Sequence, residues 1–329
     1  MNILIVNNTI IPVHLYGGTE RVIWDLGKEL NQLGHNVSYL VKKGSHCDFA
    51  KIIPINEEID IINQVPEQVD LVHFNYTPTN IKYLKKPYLI TIHDNSGGVR
   101  PKDINTVFVS KNHASRYGSK SYVYNGLDWN SYQKPELKNN RDAFHFLGNA
   151  AWRVKNVKGA INIIKGATSQ KLRVLGGVRF NLKMGPRFTF SRKVEFYGMV
   201  GGEKKDTLLN KSKGLIFPVR WHEPFGLAII ESLYFGCPVF GTPYGSLTEL
   251  VPRDVGFLSN KKQDLINAID DADSYNKTRC HEYALDKFNS KQMAMSYLKK
   301  YEIVLNNNTL NKVQPTLTEV QATKFLEWH

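Results

Sequence analysis

The chain has 329 residues, enough for about two domains of ordinary size. Hydrophobic residues make up 42% and charged residues 22%, which excludes a disordered chain, and no run approaches the roughly 18 apolar residues of a spanning helix. Lysine and arginine total 43 against 30 aspartates and glutamates, and the net +13 points to an anionic partner: phosphorylated ligand, nucleic acid or membrane surface. Cys47, Cys237 and Cys280 are far apart with no CxxC, so a reducing compartment is expected, without a disulfide framework or a zinc site.

The opening MNILIVNNTIIPV is apolar, with no preceding basic residue and no small-residue cleavage site, and reads as a buried strand rather than a signal peptide. Strand-like runs follow at 36–41, 71–75, 88–93, 106–110 and 122–125 after the first at 2–8. The clearest helical pattern is 18–33, where Val22, Ile23, Leu26, Leu30 and Leu33 recur at three- and four-residue spacing before Gly34. Apolar strands alternating with helices predict a parallel sheet covered on both faces. The polar stretch 129–142 holds a proline and lacks periodicity, and within it 131–142 is taken as an interdomain linker. Alternation restarts with strands at 144–147, 172–175, 194–197, 214–219 and 238–241 and helices at 156–167, 204–212, 225–235 and 261–272. The expected organisation is a Rossmann-like domain over 1–130, the linker, and a second over 143–286, facing a cleft. An amphipathic helix at 287–305 then crosses back to the first domain, followed by a polar tail at 306–329 with a short helix at its end. Neither half contains GxGxxG, which argues against a nicotinamide enzyme.

From Ala143 to Val194 there are eleven lysines or arginines and no acidic residue. This run reads either as a solvated basic face or as a field that draws in a phosphorylated ligand or an acidic bilayer. Phe180, Phe188 and Phe190 interleave with Arg179, Lys183, Arg187, Arg192 and Lys193, a mixture that also suits single-stranded nucleic acid. No nucleic-acid module surrounds it, so nucleic acid is not expected as a partner.

The most informative segment is 221–250, WHEPFGLAIIESLYFGCPVFGTPYGSLTEL. The strand GLIFPV runs into it, Pro224 suits a first helical position, and Gly236 with Pro238 suits the stop. The helix start at Phe225, Gly226 and Leu227 offers free N–H groups and a positive dipole to phosphate. Glu223 and Glu231 are eight residues apart, roughly 12 Å along a helix, and can hold two hydroxyl-rich ends of one ligand with its phosphates between them. Glu231 sits among Leu227, Ala228, Ile230 and Leu233, where a carboxylate needs a partner. Asp271-Ala272-Asp273 has a metal-binding Asp-x-Asp spacing but lies in a late polar helix and is set aside. No other cluster has a metal spacing.

This Glu-x7-Glu element, with PFGL after the first glutamate and FGCPV after the second, resembles the signature of retaining family 4 glycosyltransferases of the GT-B fold. Gly17-Gly18-Thr19-Glu20-Arg21, Ile92-His93-Asp94, Val109-Ser110-Lys111 and Tyr124-Asn125-Gly126-Leu127-Asp128 are similar to that family's first domain in order and spacing. Phe146-Leu147-Gly148 with Lys158-Gly159, then Leu175-Gly176-Gly177, resemble the start of its second, so the likeness runs from residue 1 to about 305. It implies an α/β chain of two Rossmann-like domains that moves a hexose-type sugar from a nucleotide diphosphate sugar to a glycan or lipid-linked acceptor with retention. No metal or other cofactor is implied. Glu231 would hold the nucleotide ribose and Glu223 the transferred sugar. Phe225, Gly226 and Leu227 would contact sugar or phosphate, Lys158 and Arg153 would neutralise the diphosphate, Gly18 would let its loop approach the phosphates, and His93 would stand over the sugar's reactive end. Gly148-Asn149 departs from the family's Gly-Arg, so the phosphate-binding arginine is displaced to Arg153 or Lys155 stands in.

The resemblance implies a role in cell-surface polysaccharide or lipopolysaccharide synthesis, and the basic charge without a spanning helix suggests a cytoplasmic chain peripheral on the inner face of the membrane. Two other readings remain: a nucleotide-sugar epimerase or phosphorylase of the same fold, and a non-catalytic sugar- or nucleic-acid-binding module. Loss of Glu223 or Glu231 would favour the module, and both are present.

Overall fold

The computed structural model describes residues 1–13, 17–95, 98–181 and 187–329. The chain divides into two compact units. The first takes in 17–128 with the opening strand and 288–320; the second takes in 129–287 and 321–329.

The first unit holds six parallel strands: β1 (Asn2–Val6), β2 (Asn36–Val41), β3 (Lys51–Pro54), β4 (Leu71–Phe74), β5 (Tyr88–Ile92) and β6 (Thr106–Phe108), in the order β3-β2-β1-β4-β5-β6. Ile3 pairs in register with Val37 on one side and Leu71 on the other. Residues Ile3–Val6 are buried, the pattern of a strand covered on both faces. Helix α1 (Gly18–Gln32) turns Val22, Ile23, Leu26 and Leu30 inward, and Gly34, at φ +86°, ends it. A Cβ on Gly27 would lie 2.0 Å from the Tyr39 hydroxyl, so only glycine lets β2 pack this closely on α1. Strand β3 was not anticipated, because KIIP is short, half-exposed and ends in proline. The run at 122–125 pairs only through an isolated bridge between Phe108 and Tyr122. A short helix α2 (Lys111–Arg116) follows β6, with the Ser110 side chain accepting from the His113 N–H.

The second unit repeats the plan with β7 (Ala143–Leu147), β8 (Leu172–Leu175), β11 (Val194–Phe196), β12 (Ser212–Phe217), β13 (Val239–Gly241) and β14 (Gly256–Leu258), in the order β11-β8-β7-β12-β13-β14 and all parallel. A separate antiparallel pair, β9 (Phe180–Asn181) and β10 (Arg187–Phe188), stands outside that sheet. Lys183 lies outside the described residues. The helices are α3 (Val157–Gly166), α4 (Gly202–Asn210), α5 (Leu227–Tyr234), α6 (Leu247–Leu250), α7 (Lys262–Asp270) and α8 (Lys277–Lys287). The stretch read as a linker is packed onto this unit. Trp129 stacks on Tyr234 with centroids 4.3 Å apart, and the buried Arg141 donates to the Phe235 and Gly236 carbonyls at the end of α5. A guanidinium there satisfies orphan helix carbonyls and meets the negative end of the dipole, which is why a polar stretch folds in. The three cysteines are free.

Helix α9 (Ser290–Leu305) belongs to the first unit, where its buried Tyr297 and Tyr301 reach β4 and β5. His73 meets the Tyr301 hydroxyl at 2.8 Å through one ring nitrogen and Thr91 Oγ1 at 2.8 Å through the other. Residues 306–329 form no helix.

His73 is fully buried, and burial lowers its pKa from 6.5 to about 3. A folded pKa below the unfolded one means that its stabilisation is complete above pH 6.5 and is lost as pH falls toward 3. Thermal unfolding of the first unit should therefore move to lower temperature between pH 6.5 and 4. His73→Gln, which retains one donor and one acceptor without titrating, should show a slope shallower by about one proton. Parallel pH series of the two proteins by calorimetry check this.

Candidate active site

In open parallel sheets, ligands bind at the carboxyl ends of the strands, where the strand order reverses. In the second unit that point lies between β7 and β12. The loops leaving these strands, 148–156 and 218–226, are tied together. The Arg220 N–H donates to the Val154 carbonyl at 2.7 Å, and Asn156 Nδ2 donates to the Pro218 carbonyl at 2.9 Å. Asn156 takes the left-handed conformation (φ 56°), which asparagine tolerates, and its Oδ1 accepts from the Gly159 N–H to cap α3.

Glu223 sits in the second loop, 5% exposed. Lys155 Nζ lies 2.9 and 2.7 Å from its two carboxylate oxygens, and Trp221 Nε1 donates to Oε2 at 2.8 Å. The ammonium also lies 5.3 Å from the Phe217 ring centroid and 5.0 Å from that of Trp221. Gly245, at φ +64°, lets the loop after β13 press on Glu223: a Cβ there would lie 2.2 Å from the Glu223 backbone nitrogen. The Ser246 N–H donates to the Glu223 carbonyl at 2.9 Å, and its hydroxyl donates to the Phe225 carbonyl at 2.7 Å.

That pinning changes the expected start of the helix. Gly226 adopts φ +81° as the N-cap, and α5 begins at Leu227 rather than at Pro224 or Phe225. Glu223 therefore precedes the helix by four residues, and the helical rise does not set its separation from Glu231. Gly226, Leu227 and Ala228 are partly exposed at the helix start, while Phe225 is buried.

Glu231 lies on α5, 2% exposed. Its Oε1 accepts from Lys205 Nζ of α4 and from the Tyr132 hydroxyl at 3.0 Å. The Lys205 ammonium lies 4.7 Å from the Tyr132 ring centroid. Both buried glutamates thus carry their own lysine. Neither Lys205, in the featureless polar run GGEKKDTLLN, nor Tyr132, in the apparent linker, was singled out in the sequence; nothing in their local patterns distinguishes them.

Lys158 is exposed on α3, and Lys155, named only as a stand-in, is the cation on Glu223. Arg153 is exposed, with its guanidinium 4.9 Å from the Phe325 ring centroid. Among the described residues no three His, Cys, Asp or Glu side chains form a group that could hold a metal ion.

Gly18 and His93 belong to the first unit. Gly18 opens α1. His93 follows β5 at the carboxyl edge, and its Nε2 meets Asn75 Oδ1 at 2.9 Å. The residue is partly exposed, and the burial of its ring lowers its pKa to about 4, which favours the neutral form at pH 7.

Breaking a buried ion pair leaves an uncompensated charge. Lys155→Met should therefore destabilise the second unit by about 3–5 kcal/mol, and Lys155→Met combined with Glu223→Gln should recover most of that loss. Urea unfolding of the single and double variants measures the coupling.

Residues 128–284 match the family model described as glycosyl transferases group 1. An uncharacterized 41.2 kDa protein in cps region of Klebsiella pneumoniae is 28% identical over 116 residues, covering 33% of this chain and 32% of that protein. The chain thus spans about a third of the length of that curated relative. AviGT4, a glycosyltransferase involved in Avilamycin A biosynthesis, superposes with a TM-score of 0.74 at 18% identity, over 94% of this chain and 99% of its own. HepE of Anabaena, in complex with UDP and glucose, superposes with a TM-score of 0.67 at 14% identity, over 92% of this chain and 99% of its own. These likenesses establish the fold: two parallel six-stranded sheets as in the GT-B glycosyltransferases, with residues 128–284 matching the model of the glycosyl transferases group 1.

Proposed function

We propose that the chain is a retaining glycosyltransferase. It moves a hexose-type sugar from a nucleotide diphosphate sugar to a glycan or lipid-linked acceptor, in cell-surface polysaccharide or lipopolysaccharide synthesis. The observation that carries this reading is the pair of lysine-neutralised glutamates, Glu223 and Glu231, on the loop and helix that follow β12 at the carboxyl edge of a sheet matched by the group 1 model. The UDP and glucose bound by HepE support the donor class, and the cps region of the Klebsiella relative supports the polysaccharide setting.

In this reading Glu231 accepts hydrogen bonds from the ribose, and Glu223 accepts them from the transferred sugar. The N–H groups at Gly226 and Leu227, with Lys158 and Arg153, stabilise negative charge growing on the departing diphosphate. The acceptor hydroxyl attacks the anomeric carbon from the face that the diphosphate leaves. Its proton passes to a phosphate oxygen as the carbon–oxygen bond to the diphosphate breaks. His93, neutral at pH 7, would hydrogen-bond near the anomeric centre.

Glu231→Ala should weaken free nucleoside diphosphate and intact donor alike, by about ten- to a hundredfold for one charged hydrogen-bonded contact. Glu223→Gln should leave nucleoside diphosphate binding nearly intact and lower turnover, because its contact strengthens as charge builds on the sugar ring. Titration with diphosphate and donor, followed by transfer assays, separates the two. Equal loss of diphosphate binding in both variants would mean that the loop and helix had lost their fold. Donor breakdown without an acceptor would favour an epimerase or phosphorylase.

Since lysine and arginine are available for the diphosphate, transfer should survive excess EDTA. Loss of activity that Mg²⁺ or Mn²⁺ restores would overturn that part of the reading.

Peripheral membrane binding is proposed from the 143–194 region. Lys158, Lys165, Lys171 and Arg192 are exposed there, whereas Lys155 and Arg173 are paired with carboxylates. Vesicles with anionic lipid should capture the protein at low salt and release it at high salt. Equal capture by neutral vesicles would count against it.

A further inference from the structure

Residues 325–329 run along the carboxyl edge of the second unit's sheet and touch the loops that follow four of its strands. After β12, the Leu326 N–H donates to the Arg220 carbonyl at 2.9 Å, and Arg220 Nε donates to the Leu326 carbonyl at 2.8 Å. After β13, the Tyr244 hydroxyl donates to the Glu327 carbonyl at 2.9 Å. After β14, the Lys262 N–H donates to the His329 carbonyl at 2.6 Å and the His329 N–H to the Asn260 carbonyl at 2.9 Å. After β7, the contact is the Phe325 ring on Arg153.

Phe325 is thus placed where the strand order reverses. Its ring centroid lies 4.9 Å from the Arg153 guanidinium and 5.3 Å from that of Arg220, the residues that face each other across the β7 and β12 loops. A guanidinium stacked on an aromatic ring uses its face for the ring, so Arg220, whose Nε–H goes to the Leu326 carbonyl, still has its two terminal nitrogens in the plane for anions. Two arginines held this way at the edge that bears Lys155 and Glu223 form a preorganised fork for phosphate oxygens. The main-chain hydrogen bonds along 326–329 hold the segment as part of the unit's structure. That suits a fixed support better than a plug that must leave before ligand enters.

We propose that the C-terminal segment 325–329 is a working part of the donor site, and that Phe325 positions Arg153 and Arg220 to receive the diphosphate of the nucleotide sugar. This rests on the glycosyltransferase reading for the ligand's identity, while the anion fork itself rests on the three side chains. Phe325 is a positioning residue, acting through the two guanidiniums.

The test uses the full chain and its Phe325→Ala, Phe325→Leu, Phe325→Trp and Arg220→Lys variants. UDP, ADP, GDP, uridine and inorganic pyrophosphate serve as probes by calorimetry, with melting temperature recorded for each protein. Phe325→Ala and Phe325→Leu should bind the preferred nucleoside diphosphate and pyrophosphate about five- to thirtyfold more weakly, because binding must then order the two arginine side chains itself. Phe325→Leu retains apolar bulk but no π face, so its loss separates stacking from packing. Phe325→Trp should stay near wild type, and Arg220→Lys, which keeps the charge but not the plane, should fall with the leucine variant. Uridine affinity should not change, a result that general loosening of the fold would not give. Unchanged diphosphate and pyrophosphate binding in Phe325→Ala would overturn the proposal. Tighter binding in that variant would overturn it in favour of a segment that blocks the site. If the wild type bound pyrophosphate but none of the nucleotides, and Phe325→Ala weakened pyrophosphate, the fork would stand and the donor reading would fail.

Discussion

A carboxylate removed from water must meet a cation or a set of donors, and in the second unit this happens twice. Glu223 is held by Lys155 and Trp221, and Glu231 by Lys205 and Tyr132. Much of the surrounding architecture serves these pairings. The stretch before β7 folds onto α5 and brings Tyr132 to Glu231, while the asparagine that caps α3 also joins the loop of Lys155 to the loop of Glu223. A buried ion pair adds little net stability compared with apolar packing, because desolvation offsets attraction. Keeping two of them at a sheet edge therefore suits function better than stability.

The two units use the same sheet plan but place different chemistry at the carboxyl edge. The second presents cations, paired glutamates and a helix start, a set suited to a phosphorylated ligand. The first presents a histidine, its pKa lowered to about 4, hydrogen-bonded to Asn75. A neutral ring is a directional donor and acceptor at pH 7, which suits contact with hydroxyl groups better than with phosphate. Helix α9 carries the tyrosines that complete the first unit's core around His73, so that core is assembled from both ends of the chain.

The basic run between Ala143 and Val194 shows how composition overstates a surface field. Lys155 and Arg173 are paired with carboxylates, while Arg179, Arg187 and Lys193 donate to backbone carbonyls. Arg179 and Arg187 still carry their charge, but both terminal nitrogens of each are bonded to protein oxygens, and they cannot grip an anion as an exposed guanidinium does. Phe180, Phe188 and Phe190 remain exposed, with the Phe180 centroid 6.1 Å from Phe188 and 5.7 Å from Phe190.

Elements with a strong local period were readable from the sequence alone. The α1 stripe with its Gly34 stop, the fully buried strands and the Glu-x7-Glu segment each carry their signal within a dozen residues. Short elements such as β3 and β14 were missed because three or four residues hold less than one clear period. That Glu231 needs a buried partner was legible because a carboxylate in an apolar helix is a local contradiction. The partners of the two glutamates were not: Lys155 is 68 residues from Glu223, Tyr132 is 99 from Glu231, and nothing near either residue marks it. The same holds for Phe325, whose polar, unpatterned neighbourhood gives no hint of Arg153 and Arg220. Sequence periodicity determined the sheets and helices, since it reports which face of an element is buried. Which cation meets which carboxylate, and where the C-terminal segment lies, depends on distances that arise only when remote loops meet at one sheet edge, and only the tertiary structure decided them.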